Sequence, residues 1–210
     1  MKRQFTVLLI LLFLAGTGFL QSIHAGKIFS RDSKWNYYKG NDHPSGGDLE
    51  WTEAEFDDSD WLNGKSPFRY GDGSGGTLLS DMPNKYTTVF FRKFFTVANP
   101  KDISELDFII DYDDGFIVWI NGEEVLNVGG VDDPDYDSLA TVSHESGTFE
   151  KFALQKPSSF LVKGQNVISI MGLNVGMNSS DFLMNSELQS FQSDKLNPKI
   201  VSIDPPPGEV

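Results

Sequence analysis

Seven aspartates in two short runs are the residues of this chain whose type and spacing point most directly to chemistry. Asp111, Asp113 and Asp114 fall in one predicted turn, and Asp132, Asp133, Asp135 and Asp137 fall in another. Calcium takes about six to eight oxygen ligands, which clustered aspartates and backbone carbonyls can supply. Asp111, Asp113 and Asp114 are therefore the expected ligands of a structural Ca2+. Neither run fits the helix–loop–helix calcium template: Gly115 and Phe116 occupy its fifth and sixth positions in the first, and the terminal Glu is out of register at both. Gly71-Asp72-Gly73-Ser74-Gly75-Gly76 has the texture of a calcium-binding β-helix repeat but occurs once, and such repeats need neighbours. Turn formation and solvation account for the same residues without a metal, so both readings stand at this point.

The aromatics suggest a second chemistry. Sugar sites use ring faces together with a few polar groups. Trp35, Tyr37, Tyr38, Tyr70, Tyr86 and Tyr136 all sit in or beside predicted loops. The expected ligand-binding set is Trp35, Tyr70 and Tyr136, with Asp72 and Asn174 as polar partners. For any single one of these rings, packing under a long loop is the competing explanation. Trp51, Trp61 and Trp119 lie in blocks that read as architectural and are expected in the core.

Catalysis finds little support. Beyond the leader described below, His43 and His144 are the histidines available as bases, and no Gly-x-Ser-x-Gly elbow accompanies either. No His/Cys metal spacing and no phosphate-binding glycine loop occur. The expectation is that the chain is not an enzyme.

The elements that must position these residues read as β throughout. Leu106, Phe108, Ile110 and Tyr112 alternate with polar residues, the period-2 pattern of a half-buried strand. Asp113-Asp114-Gly115 then predicts a hairpin turn with Gly115 at positive φ. The next strand places Phe116, Val118 and Ile120 on one face and Ile117 and Trp119 on the other. Asn121-Gly122 is a strong hairpin signal, so residues 105–127 predict a three-strand meander. Further strands are expected at about 87–97, 148–154, 165–173 and 181–188, with a helical turn near Ser158–Val162. The segment from Trp35 to Tyr86, rich in Gly, Asp, Ser and Pro, reads as long loops.

Composition bounds the setting. Lys2 and Arg3 followed by the apolar run Phe5–Leu20 and Ala25-Gly26 form a secretory leader over residues 1–25. The run is shorter than the roughly 20 residues that cross a bilayer, so no membrane insertion is expected after cleavage. The protein should be secreted, periplasmic or displayed at the cell surface. It has no cysteine, which points to a bacterial exported protein rather than a disulfide-stapled eukaryotic one. Thirty acids against 17 bases give a net charge of −13. That balance excludes a nucleic-acid partner. Residues 27–196 form one expected domain, and 197–210, with Asp204-Pro205-Pro206-Pro207-Gly208, read as a linker and the start of a truncated second domain.

Several blocks together resemble a known family. Phe56-Asp57-Asp58-Ser59-Asp60-Trp61, Gly64 to Gly73, Phe90-Phe91-Arg92-Lys93-Phe94-Phe95, Asp113 to Val125, Gly164-Gln165-Asn166-Val167 and Ser179-Ser180-Asp181 occur in an order similar to the galactose-binding-domain-like β-sandwiches. That group includes the sugar-binding domain of many β-galactosidases and β-glucuronidases and modules of large secreted bacterial proteins. The resemblance covers roughly residues 33–190. It implies an all-β jelly-roll sandwich, and it raises the prospect of one structural Ca2+. It also implies a non-catalytic accessory module binding carbohydrate or surface glycan, with further domains of the same polypeptide as neighbours. A structural spacer or adhesion module, or an appendage to a downstream enzyme domain, is the alternative on this fold.

Overall fold

A computed structural model describes residues 23–193. The expected leader up to residue 22 and the expected linker and second domain beyond 193 lie outside the described residues. Twelve strands form two sheets: β1(Ile23–Phe29), β2(Lys34–Lys39), β3(Leu62–Lys65), β4(Phe68–Tyr70), β5(Thr77–Leu78), β6(Thr88–Val97), β7(Ile103–Asp113), β8(Gly115–Ile120), β9(Glu123–Val128), β10(Glu150–Leu154), β11(Gly164–Leu173) and β12(Phe182–Ser193). One sheet runs β10-β7-β12-β4-β5, with β1 also paired to β12; the other runs β3-β2-β6-β11-β8-β9. The chain is an all-β sandwich.

The alternation in β7 does what its period requires. Leu106, Phe108, Ile110 and Tyr112 point inward and meet Phe116, Val118 and Ile120 of β8 in the core between the sheets. Ile117 and Trp119 point the other way, into a second apolar cluster with Trp51, Phe90, Met171 and Leu173 on the outer face of the second sheet. β8 is buried on both faces, which is why its sequence is apolar without interruption.

The meander expected over 105–127 is only half right. β8 and β9 form the Asn121-Gly122 hairpin, with φ of 51° and 83° at the two turn residues. Asn121 also accepts from Val167 N and donates to Phe160 O and Asn166 Oδ1. β7 and β8, however, belong to different sheets, so Asp113-Asp114-Gly115 carries the chain across the sandwich and is no hairpin. Gly115 does not take positive φ. It is glycine's size that matters there, since a Cβ would lie 3.1 Å from Val128 O and 3.2 Å from Gly129 O.

The segment expected as loops between Trp35 and Tyr86 contains four of the strands, β2 to β5. The expected turn near 158–162 is a single 3-10 turn at Pro157–Ser159. β1 begins at Ile23 and pairs with β12 from there, three residues ahead of the cleavage point expected after Ala25.

Candidate functional site

Two places bring functional groups together. The first is the end of the sandwich where β7 stops and β12 starts. Asp113, Glu145 and Asp181 each offer a carboxylate oxygen there, all within 4.8 Å of one another. Asp113 ends β7, Asp181 immediately precedes β12, and Glu145 arrives on the 141–149 segment. Asp113 is buried. Burial first, then the charges of Asp114, Asp181 and Glu145, push its carboxyl up to about 7. Three acids converging without a basic side chain among them form an oxygen-rich, electronegative cup of the kind a hard cation fits.

Tyr70 and Asn174 stand beside this cup. The Tyr70 hydroxyl donates to Ser179 O at 3.0 Å and accepts from Asn174 Nδ2 at 2.8 Å. Asp181 and Asp113 lie near enough for their charges to help raise the Tyr70 hydroxyl, which burial raises most. Asn174 is 1% exposed, and its Oδ1 has no hydrogen-bond partner among the described residues. A buried carbonyl oxygen without a donor is an acceptor still to be satisfied.

Of the three aspartates expected to bind metal, the structure places Asp113 alone in this group. Asp114 spends both oxygens on backbone amides, accepting from His144 N at 3.0 Å and Val175 N at 2.7 Å. Asp111 accepts from Gly147 N at 2.7 Å. These two fasten the 141–149 and 174–181 segments to the end of β7. Their partners are backbone N–H groups, which a sequence does not display, and this is why spacing alone assigned them to a metal. Glu145 and Asp181 are separated from Asp113 by 32 and 68 residues, so no local pattern announces them.

The expected sugar platform is not assembled. Trp35 lies in β2, 3% exposed, between Phe29 and Phe91 in the core. Tyr70 lies in β4, 5% exposed. Neither presents a ring face, because both project from strands that the sequence did not reveal. Asp72 is exposed on the glycine-rich turn, and Tyr136 is half-buried with its ring edge-on to His43, centroids 4.8 Å apart. Asn174 belongs to the acidic end described above. Of the three tryptophans expected inside, Trp51 and Trp119 are buried, and Trp61 is half-buried.

The second place is a shallow groove of about 210 Å³ lined by Tyr38, Lys39, Asn41, Asp42, Asp60 and Leu62. Tyr38 is half-buried and packs on Trp61, with centroids 5.5 Å apart and the planes at 40°. Trp61 is held in turn by Phe56 and Trp51. The Tyr38 hydroxyl donates to Asp42 at 2.5 Å. That bond, followed by burial and the Asp42 charge, pushes the hydroxyl up to about 12. The groove therefore offers a braced aromatic ring with an amide and two exposed carboxylates beside it.

No family model matches the chain, and no curated protein matches it. Solved structures do. Over 87% of its length the chain is similar to 31% of a β-glucuronidase from an uncultured Clostridium species, at 12% identity and a TM-score of 0.50. Over 80% of its length it is similar to 21% of a glycosyl hydrolase family 2 member from Bacteroides cellulosilyticus, at 15% identity and a TM-score of 0.49. A β-glucuronidase from Bacteroides uniformis matches over 80% of this chain and 18% of its own, at 14% identity and a TM-score of 0.48. The chain thus spans less than a third of these enzymes. At such identities the shared property is the fold, a two-sheet β-sandwich.

Proposed function

We propose that this sandwich is a non-catalytic, galactose-binding-like accessory module of a larger exported protein, and that it binds carbohydrate in the groove at Tyr38. The observation that carries this reading is the Tyr38 ring, braced from behind by Trp61 and flanked by Asn41, Asp42 and Asp60. A ring face with hydroxyl-binding groups beside it is how proteins hold sugars. The groove is smaller than the roughly 300–1,000 Å³ of enclosing ligand pockets, so it suits one face of a terminal sugar. The likeness to less than a third of a β-glucuronidase supports a role alongside other domains. The basic start and apolar run Phe5–Leu20, read as a secretory leader, are what this reading of an exported protein rests on. A glycan array probed with the purified chain tests the reading. Saturable binding to a defined set of glycans is the expected result, and silence from the folded protein replaces it with a spacer or adhesion role.

The Asp113, Glu145 and Asp181 cup favours a second element of the same reading, a structural Ca2+ that fastens the loops at that end. Three carboxylates within 4.8 Å, one of them buried, repel one another unless one takes a proton or a cation lies between them. The unsatisfied Asn174 Oδ1 belongs to a side chain whose Nδ2 donates to the Tyr70 hydroxyl, and that hydroxyl lies within reach of the Asp113 and Asp181 charges. A thermal-shift titration with Ca2+ tests it: a saturable rise in Tm that EDTA reverses is expected, and an unchanged Tm removes the ion.

A further inference from the structure

A groove of about 690 Å³ lies apart from both of these places. One wall is residues 26–30, at the end of β1, and the other is residues 93–96 of β6. Successive side chains of a strand point to opposite faces, so a groove that meets four or five consecutive residues meets the strand's edge. Both edges are open to pairing. β1 has β12 on one side and, among the described residues, no strand on the other. β6 pairs with β2 only as far as Arg92, and beyond it, among the described residues, β11 is its one neighbour. The register of β1 shifts between Lys27 and Phe29, so the regular edge is that of β6. An unpaired edge presents a row of N–H and C=O groups that an added strand can satisfy.

The groove also holds a cation without a counter-charge. Lys93 falls on the core-facing side of β6, between the buried Phe91 and Phe95. Its Nζ donates to Lys34 O at 2.8 Å and lies 5.8 and 5.6 Å from the Phe29 and Trp35 ring centroids. No carboxylate pairs with it among the described residues. Burial holds the ammonium below its ordinary value. The other bases nearby leave an excess of positive charge: Lys27 and Arg31 share the single carboxylate of Glu187, and Lys34 stands opposite Lys65 across β2 and β3. In a chain of net charge −13 this is a basic surface. A small anion would answer Lys93 but leave the strand edges unpaired, whereas an extended acidic peptide answers both.

We propose that this groove receives an extended, acidic segment of a partner polypeptide, which adds to β6 as a strand and sets a carboxylate against the Lys93 ammonium. Four residues of strand run about 13 Å at roughly 3.3 Å per residue, so a short peptide matches the open stretch of edge. The backbone supplies the pairing and Lys93 the preference for an acid. This contact is independent of the Tyr38 groove and of the acidic cup.

The test is an NMR titration of the full chain with an end-capped Thr-Val-Glu-Val-Thr-Val peptide. The expected result is a saturable shift centred on the amides of residues 26–30 and 93–96. A counterpart with lysine in place of glutamate should bind more weakly, and one methylated on alternate backbone nitrogens, which keeps the charge but cannot pair, should give no shift. Lys93→Met, which keeps the stem and removes the charge, should weaken binding roughly fivefold. Lys85→Met, an exposed change elsewhere, should leave it unaltered. Equal binding of the lysine counterpart or of the methylated peptide, equal weakening by Lys85→Met, or shifts centred elsewhere would each overturn the proposal. So would the absence of any shift, the outcome if residues 197–210 or a second copy of the chain fill the groove.

Discussion

Arg92 Nε donates to Asp58 Oδ2 at 2.8 Å, with the arginine side chain fully buried on β6 and the aspartate in the 41–61 segment that crosses the outer face of the second sheet. The other guanidinium nitrogens donate to Trp51 O, Glu53 O and Phe56 O. One side chain thus satisfies a carboxylate and three carbonyls of a segment with little regular structure of its own. That segment carries Trp51 and Trp61, and through Trp61 it braces Tyr38. The Arg92 fork is therefore what links the fold to the proposed sugar groove.

Arg92→Met should destabilise the protein by about 3–5 kcal/mol, because it leaves Asp58 Oδ2 and three carbonyls without the Arg92 donors, Asp58 Oδ1 keeping its bond from Asn36. Arg92→Lys should recover little of that, since a single ammonium cannot reach all four acceptors in the fork geometry. Urea denaturation measures both. If the lysine variant matches the parent, the fork geometry is unimportant.

Asp113→Asn should raise the Tm of calcium-free protein, by relieving repulsion among Asp113, Glu145 and Asp181, and should abolish the response to Ca2+. The parent should gain about 2.7 kcal/mol at a Ca2+ concentration about one hundred times Kd. Thermal denaturation with EDTA and with Ca2+ gives both readings. A variant that is less stable without calcium would show that the aspartate's role is not electrostatic strain awaiting a cation.

Asp114→Ala should cost about 3 kcal/mol, since it frees two backbone amides held by a charged acceptor, His144 N and Val175 N. Hydrogen exchange should accelerate most at those two amides. An unchanged exchange rate there would remove Asp114 from its fastening role.

Glu187 supplies a pH dependence. Burial acts to raise its carboxyl, but hydrogen bonds and charge from Lys27 and Arg31 outweigh that and hold it below its ordinary value. The unfolded chain therefore takes up a proton at Glu187 before the folded chain does, so this contribution is present above about pH 4.5 and is lost as pH falls. Lys27→Met/Arg31→Met should lower stability at pH 7, and the loss should shrink as pH falls below about 4.5 and the Glu187 carboxylate takes up its proton. A destabilisation that does not change with pH would mean the two residues act by packing alone; Arg31 does lie over the Phe149 ring.

What the sequence revealed follows from how far each signal reaches. The alternation of Leu106, Phe108, Ile110 and Tyr112 and the Asn121-Gly122 turn are local, and the structure contains both. The change of sheet at Asp114 is not local; a crossing and a hairpin share the same Asp-Asp-Gly composition. Strands β2 to β5 are short and embedded among Gly, Pro and Asp, so the sequence shows loops there and Trp35 and Tyr70 read as loop residues. The triad of Asp113, Glu145 and Asp181 was one-third legible, since each member comes from a different part of the chain. Tyr38 reads as a loop aromatic in the sequence; its ring is a candidate platform only because the half-buried Trp61, expected in the core, packs against it.

The measurement that tests the central claim most directly is glycan affinity in the parent, Tyr38→Ala, Tyr38→Phe and Trp61→Ala, using the strongest glycan from the array. Tyr38→Ala should weaken binding by about tenfold or more, roughly 1–2 kcal/mol. Tyr38→Phe should retain most of it, and Trp61→Ala, which removes the brace, should fall between. Parent-like affinity in Tyr38→Ala would contradict the account and move carbohydrate recognition away from this groove.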